Sequence, residues 1–288
     1  MPYLIHLLIL ISIYAILAIS LDLVVGFSGF LSLAHAAFFG IGAYVTAILL
    51  TSLGINFFLA AFIGALISAF LALCIGAVLS KFKGDFYALA SLGFGVIVYS
   101  VFLNWQDLTR GPLGIPGIPR PAIFGFAFAD NFWFLVLALV VTLLVFLFSH
   151  FVTGSSFGRV LKAIREDEQA ISVFGYNVLL YKLAIFVIAA ALAAFAGSLY
   201  AAYITFIDPS TFTVTESIFI LSTVILGGLA SHRGAVLGAA VLILLPEFLR
   251  FVGFPTDIAA QMRQVVYGVL LVVLMMYKPQ GLLGEYKL

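Results

Sequence analysis

SSFGRVLKAIREDEQAISVFGYN, residues 155–177, holds six of the chain's 25 charged residues in 23 positions. Apolar runs of membrane length flank it on both sides. The polar stretch therefore reads as a helix delivered to one face of a membrane, and the rest of the chain as the part that lipid surrounds. Only 9% of the 288 residues are charged and 65% are hydrophobic, with a mean hydropathy of +1.27. Soluble domains carry about 25% charged residues, so the composition defines a polytopic membrane protein, read as one transmembrane domain over residues 1–288.

Working outward, a helical span needs about 20 apolar residues. On that ruler spans fall near 3–25, 33–53, 57–80, 86–103, 132–153, 182–207, 215–230, 235–252 and 262–277. The last three are short or interrupted, so the expected count is eight to ten, some of them broken or re-entrant. Ten-residue alternation is missing, which argues against a barrel, and the fold class is all-α. The first span lacks the basic start and small-residue cleavage site of a signal peptide and is expected to be retained.

The lysines and arginines orient these spans. With nine spans, one side receives Lys81, Lys83, Arg159, Lys162, Arg165, Lys182, Arg233, Lys278 and Lys287, and the other Arg110, Arg120, Arg250 and Arg263. Nine against four places 155–177 and the C-terminus in the cytoplasm. A net charge of +1 offers no basic field for nucleic acid. The one cysteine, Cys74, excludes disulfides and cysteine-based metal sites. The sequence has no G-x-x-x-x-G-K-[ST] phosphate loop, so no cofactor is expected on this chain.

Within 155–177, Ser155 or Ser156 is an N-cap, and Gly175 with Asn177 is a stop, giving one continuous helix. Its apolar arc is interrupted by Asp167 and Glu168. Three basic and three acidic side chains cancel, which suits a protein groove better than a lipid surface. A solvated connector is the plainer alternative.

Three other stretches hold candidate sites. A small-residue break around Gly26–Gly29 carries Asp22, Ser28, Ser32, His35 and Tyr44; it reads equally as close helix packing or as a pathway lining. The loop NWQDLTRGPLGIPGIPRP, residues 104–121, has four of the nine prolines and reads as a rigid cover or an inert connector. GGLASHRGAVLGA, residues 227–239, is a short turn with a GxxxG spacing, in which His232 and Arg233 are turn residues. Glu216 and Glu247 are expected to cap or snorkel at span ends. Gly26-Phe27-Ser28-Gly29 also fits a G-x-S-G nucleophile pattern, a remote intramembrane serine protease reading that needs a histidine base, His35 or His232. A gradient-driven carrier would place paired ionisable residues at midplane, and those in the spans are few.

The stretch from Ser155 through SLYA at 198–201 resembles the cytoplasmic coupling segment and following span of branched-chain amino acid ABC transporter permeases, M-type subunit. LDLVVGFSGFLSLAHAAFFGIGAY, LTRGPLGIPGIPRP, ILGGLASHRGAVLGA and YGVLLVVLMMYKPQGLLG agree in order along the chain. The resemblance implies a bacterial inner-membrane importer subunit working with a second homologous permease, two cytoplasmic ATP-binding subunits that use ATP and Mg, and a periplasmic or extracellular binding protein. It implies that Gly158, Ala163, Ile164, Arg165, Glu166, Asp167 and Gly175 couple to the ATPase. Ser28, Ser32, His35, Tyr44, Gly227 and Gly228 are candidate pathway residues, and Asn104, Thr109, Arg110, Gly111 and Gly114 candidate outer-mouth residues. Arg110 stands where the family usually has glycine. Family members also carry urea, amides or other small solutes.

Overall fold

The computed structural model describes residues 2–82, 84–123 and 126–251, and beyond them 265, 268, 269, 272, 276–278 and 280–284. In chain order the helices are α1 (Pro2–Ser28), α2 (His35–Leu53), α3 (Phe57–Leu79), α4 (Asp85–Asn104), a single turn α5 (Gln106–Thr109), α6 (Asn131–Gly154), α7 (Ser156–Glu166), α8 (Glu168–Val173), α9 (Val178–Ile204), α10 (Val214–Gly227) and α11 (His232–Phe251). The α1, α2, α3, α4, α6 and α9 helices are long and apolar enough to cross a membrane, and α10 is apolar but 14 residues long. The protein is therefore an all-α polytopic membrane protein. The expected spans match α1–α4, α6 and α9–α11 to within about four residues, the usual scatter of boundaries read from pattern. The ninth expected span, 262–277, lies largely outside the described residues, as do Lys83, Arg263 and Lys287; the side chain of Arg250 does too.

Contacts between elements set the direction of each helix. His6 meets the Tyr203 hydroxyl at 2.6 Å, so the start of α1 sits beside the end of α9. Asn56, before α3, donates to the Ala122 carbonyl in the long 105–130 loop. That loop closes on the chain after α9 through two short antiparallel strands, β1 (Ile115–Pro116) and β4 (Phe206–Ile207). A second two-residue pair, β2 (Ala122–Ile123) with β3 (Phe126–Ala127), lies within the loop. At the opposite end α6 passes into α7, and Thr153 meets His232 at the start of α11. The helices thus alternate between a loop end and a polar-helix end.

α1, α2 and α9 form the centre, whereas α3, α4 and α6 each keep one face exposed. Leu59, Phe62, Leu66, Phe70 and Cys74 lie on that face of α3. Lipid offers no hydrophobic drive between helices, so association relies on close packing of small residues and interhelical hydrogen bonds. The α2–α9 contact shows both. A Cβ on Gly42 would fall 2.2 Å from the Ala194 carbonyl, and one on Gly197 2.0 Å from that of Phe39. Thr46 and Ser198 share a 2.7 Å hydrogen bond beside them.

The loop end contains one backbone conflict. Arg110 adopts φ 60°, ψ 12° between α5 and a following 3-10 turn. Side chains other than glycine lose roughly 1–2 kcal/mol there, which gives a physical reason for the glycine that the resemblance led one to expect. Arg110→Gly is therefore expected to stabilise the purified protein by about 1 kcal/mol, and Arg110→Ala not to, in denaturant unfolding in detergent. Equal stability of the glycine and alanine variants would remove strain as the cause.

Candidate coupling site

The polar stretch begins where α6 ends. Ser155 accepts from the Gly158 amide at 3.5 Å and so caps α7. Gly158 is buried against the last turn of α6; a Cβ there would lie 2.1 Å from the Thr153 carbonyl oxygen. Leu161 and Ile164 complete the inward face of α7. The expected single helix is corrected at this point: it breaks at Asp167, whose extended backbone ends α7 and whose carboxylate accepts from the Gln169 and Ala170 amides at 2.9 and 3.0 Å, starting α8. The acids that interrupt the apolar arc are there because one of them is a cap. Glu168, the other, pairs with Lys182 of α9 at 2.6 Å. Gly175 closes the hairpin at φ 87°, and Asn177 caps α9 by accepting from the Leu180 amide.

This hairpin grips the glycine break. α1 ends at Ser28, and residues 29–34 turn back into the bundle without regular structure, so that His35 opens α2 at the level of Ser20, 2.7 Å from its hydroxyl. Eight residues of α1 separate Ser20 from Ser28, about 12 Å at 1.5 Å per residue. Non-helical backbone at that depth must be covered by protein, and it is: the Leu33 amide donates to Ser91 of α4 at 2.9 Å. From the other side, the Arg165 guanidinium donates to the Gly26 carbonyl, and its side chain lies against Gly29. Lys162 sits over the Phe27 ring at 5.4 Å and Lys182 over the Phe30 ring at 4.0 Å. A cation over an aromatic face is attracted by the ring quadrupole. Gly26 and Phe27 at the end of α1, and Gly29 and Phe30 in the break, are thus held by residues of the polar stretch or of the first turns of α9.

The candidate coupling residues divide accordingly. Gly158 and Ile164 are buried between α7 and the bundle, Ala163 is half-buried, and Arg165 faces α1. Glu166, Asp167 and Gly175 are exposed, with Val173 and Phe174 beside them 85% and 78% exposed. Sequence reasoning named neither Val173 nor Phe174 as a site residue. The signal available was two large apolar residues before a glycine stop.

Behind the hairpin is a second joint. Asp22 is fully buried and accepts from the Ala230 amide at 2.8 Å, tying α1 to the α10–α11 turn. His232 is buried as well, its Nε2 3.1 Å from Thr153 Oγ1 and its Nδ1 3.6 Å from Asp22. His232 is thus a packed link between α6, α1 and α11, not a solvated turn residue. An amide left without its acceptor in such a place costs about 1–3 kcal/mol. Asp22→Ala is expected to lower stability by that amount and Asp22→Asn by less, because the amide oxygen can still accept from Ala230. Indistinguishable unfolding of the two variants would sink this role.

The remaining candidates are spread along the bundle. Ser28 donates to the Val24 carbonyl at 2.6 Å; His35 meets Ser20, and His232 meets Thr153. Neither histidine is hydrogen-bonded to Ser28, which leaves the serine-nucleophile pattern without an assembled base. Ser32 is buried in the break, its Oγ 3.4 Å from the Ala34 amide. Tyr44 is buried near the loop end, stacked on Phe102 at 4.3 Å. Gly227 and Gly228 abut backbone: a Cβ would fall 2.1 Å from Gly234 O on the first and 2.2 Å from Gly284 N on the second. They serve close packing, with Leu282 and Leu283 donating to the carbonyls of Leu226 and Gly227. Glu216 also differs from expectation. It turns inward to accept from Tyr14 at 2.5 Å.

At the loop end, Thr109 donates to the carbonyls of Phe102 and Trp105, and Asn104 to that of Ser100. Gly111 and Gly114 are buried at positive φ, and Gly114 lies against the Ile207 carbonyl. Leu113 between them is 82% exposed. The loop is tied down at these points, and Trp105, Leu108 and Leu113 project from it.

The structure is a bundle of membrane-spanning helices with a polar helical hairpin held against the break between its first two spans. Comparison with known proteins gives the family. Residues 3–275 match the model described as branched-chain amino acid transport system, permease component, and the chain belongs to that family. It is 35% identical to the high-affinity branched-chain amino acid transport system permease protein LivM of Salmonella typhimurium, over 94% of this chain and 68% of that protein. LivM of Escherichia coli gives 35% over the same shares. The LivH permease protein of Salmonella typhimurium is 29% identical over 95% of this chain and 92% of its own length. No solved structure matches the chain.

Proposed function

We propose that this permease subunit carries branched-chain or related amino acids inward across a bacterial inner membrane, in an assembly with a second homologous permease, two cytoplasmic ATP-binding subunits and an extracytoplasmic binding protein. ATP and Mg are used on the partner subunits. The 155–177 hairpin and the C-terminus face the cytoplasm, in line with nine lysines and arginines against four.

The observation that carries this reading is the grip of Arg165 and Lys162 on the Gly26–Phe27 end of α1. A partner that moves the exposed Glu166, Asp167, Val173, Phe174 and Gly175 surface would thereby move the α1–α2 break, where Ser28, Ser32 and His35 lie. Coupling of this kind requires a contiguous element whose two ends each touch one site. Tyr44 is the pathway candidate nearest the opposite end. Asn104, Thr109, Arg110, Gly111 and Gly114 form the surface on which the binding protein is proposed to rest.

The test is uptake of radiolabelled leucine and of urea in cells carrying the whole assembly, with and without ATP depletion. Leucine uptake that stops on ATP depletion, with urea excluded, is the expected result. Urea uptake, or leucine uptake that persists on an ion gradient alone, would overturn the substrate or the energy source respectively.

A further inference from the structure

Tyr14 lies near the middle of α1, about 18 Å from its first residue and 21 Å from its last at 1.5 Å per residue. Its hydroxyl donates to the Glu216 carboxylate at 2.5 Å. Glu216 belongs to the first turn of α10, so the contact sets that turn at mid-depth rather than at a span end. The chain reaches this depth from the loop end without a long helix. After α9 it passes through β4 and a 3-10 turn, Pro209–Phe212, and the Phe212 ring packs against Phe39, Tyr44 and Phe102. α2 also starts inside the bundle, and the Ala36 amide in its first turn donates to Ser217 at 3.0 Å. From there α2 runs to the loop end and α10 to the hairpin end. Two helices of opposite direction thus begin at one level, beside one carboxylate. Discontinuous helices that meet near the bilayer midplane are where transporters place substrate.

Glu216 is half-buried, Thr215 beside it is exposed, and Ile218 is 51% exposed. The carboxylate therefore lies at a flank of the bundle, not in a sealed interior. Among the described residues no lysine, arginine or histidine pairs with it, and its hydrogen bond comes from Tyr14. A carboxylate at this depth is unfavourable against acyl chains; such groups face protein or a water-filled path and mark the route of a charged solute. The partner it calls for is a cation. A metal ion would take several hard oxygen ligands, and no group of three or more His, Cys, Asp or Glu that could hold one stands among the described residues. A single carboxylate with a phenol, a hydroxyl and the aliphatic Ile218 around it suits an alkylammonium.

We propose that Glu216, held in place by Tyr14, receives the primary ammonium of an aliphatic amino acid at mid-membrane, on the wall of a water-filled path along the start of α10. The choice of an amino acid as the ammonium's bearer rests on the function proposed above; the cation seat itself does not.

Two measurements on the intact assembly test the assignment, one with substrate and one without. In proteoliposomes, uptake of radiolabelled leucine and hydrolysis of ATP are followed together. Glu216→Gln keeps an oxygen that accepts from Tyr14, so a merely structural role would leave uptake unchanged. It is expected instead to lower uptake roughly tenfold or more while ATP hydrolysis continues, and Glu216→Asp to recover part. The second measurement uses Thr215→Cys in a Cys74→Ser background and two methanethiosulfonate reagents, one ending in an ammonium and the other in a sulfonate. The ratio of cationic to anionic labelling rates is expected to exceed that of free cysteine roughly tenfold, and Glu216→Gln to remove the excess. Uptake that Glu216→Gln leaves intact overturns the assignment, as does a labelling ratio that the same change does not move. Thr215→Cys that neither reagent reaches overturns the water-filled path. Wild type that imports no leucine overturns the amino-acid reading itself, and the substrate assigned here falls with it.

Discussion

Gly158→Ala abolishes most transport: uptake is expected to fall roughly 5- to 150-fold, the range of a lost coupling free energy of about 1–3 kcal/mol. The effect comes from the first carbon. A Cβ at position 158 would lie 2.1 Å from the Thr153 carbonyl oxygen and 2.5 Å from the adjoining Cα, and both are backbone atoms of the same helical corner. No rotamer change relieves the clash, so α7 must lift away from the end of α6. Its buried face, Leu161 and Ile164, then loses its seat, and the exposed end around Phe174 moves with it. Valine at the same position should do little more harm than alanine, because the damage is done by the atom they share. Amounts of the subunit in the membrane are expected to stay near wild type, since the spans themselves are untouched. Wild-type uptake by Gly158→Ala would mean that α7 does not sit on α6 as described.

Arg165→Ala is expected to produce a different loss. Its guanidinium holds the Gly26 carbonyl, at the point where α1 gives way to the break. Without it the hairpin remains folded, because Ser155, Asp167 and Asn177 still cap its helices and Glu168 still pairs with Lys182. ATP-binding partners should therefore still copurify and hydrolyse ATP, while uptake drops by the same order, roughly tenfold or more. Arg165→Lys keeps the charge but loses the planar fork of donors and is expected to recover only part. Loss of the partners themselves in Arg165→Ala would move the residue from transmission to docking. Full uptake would remove it from both.

The spans were legible in the sequence because bilayer thickness imposes a length on each apolar run. Both ends of α3, for example, fall within a residue of expectation. What a ruler of hydrophobicity does not show is depth. Residues 29–34 are as apolar as a helix, yet they run back into the bundle as irregular chain, supported by Ser91 from a helix nearly sixty residues away. The contact between the polar stretch and the glycine break was hidden for a similar reason: Arg165 and Gly26 are 139 positions apart. Both had been singled out as unusual, and only the fold shows that they touch. Asp167 was visible as a fault in an amphipathic pattern, and its role as a cap explains that fault. The glycines of the 227–238 turn read as a packing spacing or as pathway. Their contact with Gly234 and Gly284 backbone settles their immediate surroundings as tight packing.

On the proposed function, the exposed end of the 155–177 hairpin meets an ATP-binding subunit in the cytoplasm. Cysteine cross-linking tests it most directly, after the native Cys74, which is exposed on α3, has been replaced by serine. A cysteine at Phe174 in intact membranes should be trapped in an adduct with an ATP-binding subunit, and one at Leu113 on the opposite end should not. A Phe174→Cys variant that gives no such adduct, or that a membrane-impermeant thiol reagent labels from outside the cell, would show that the hairpin does not meet that subunit in the cytoplasm.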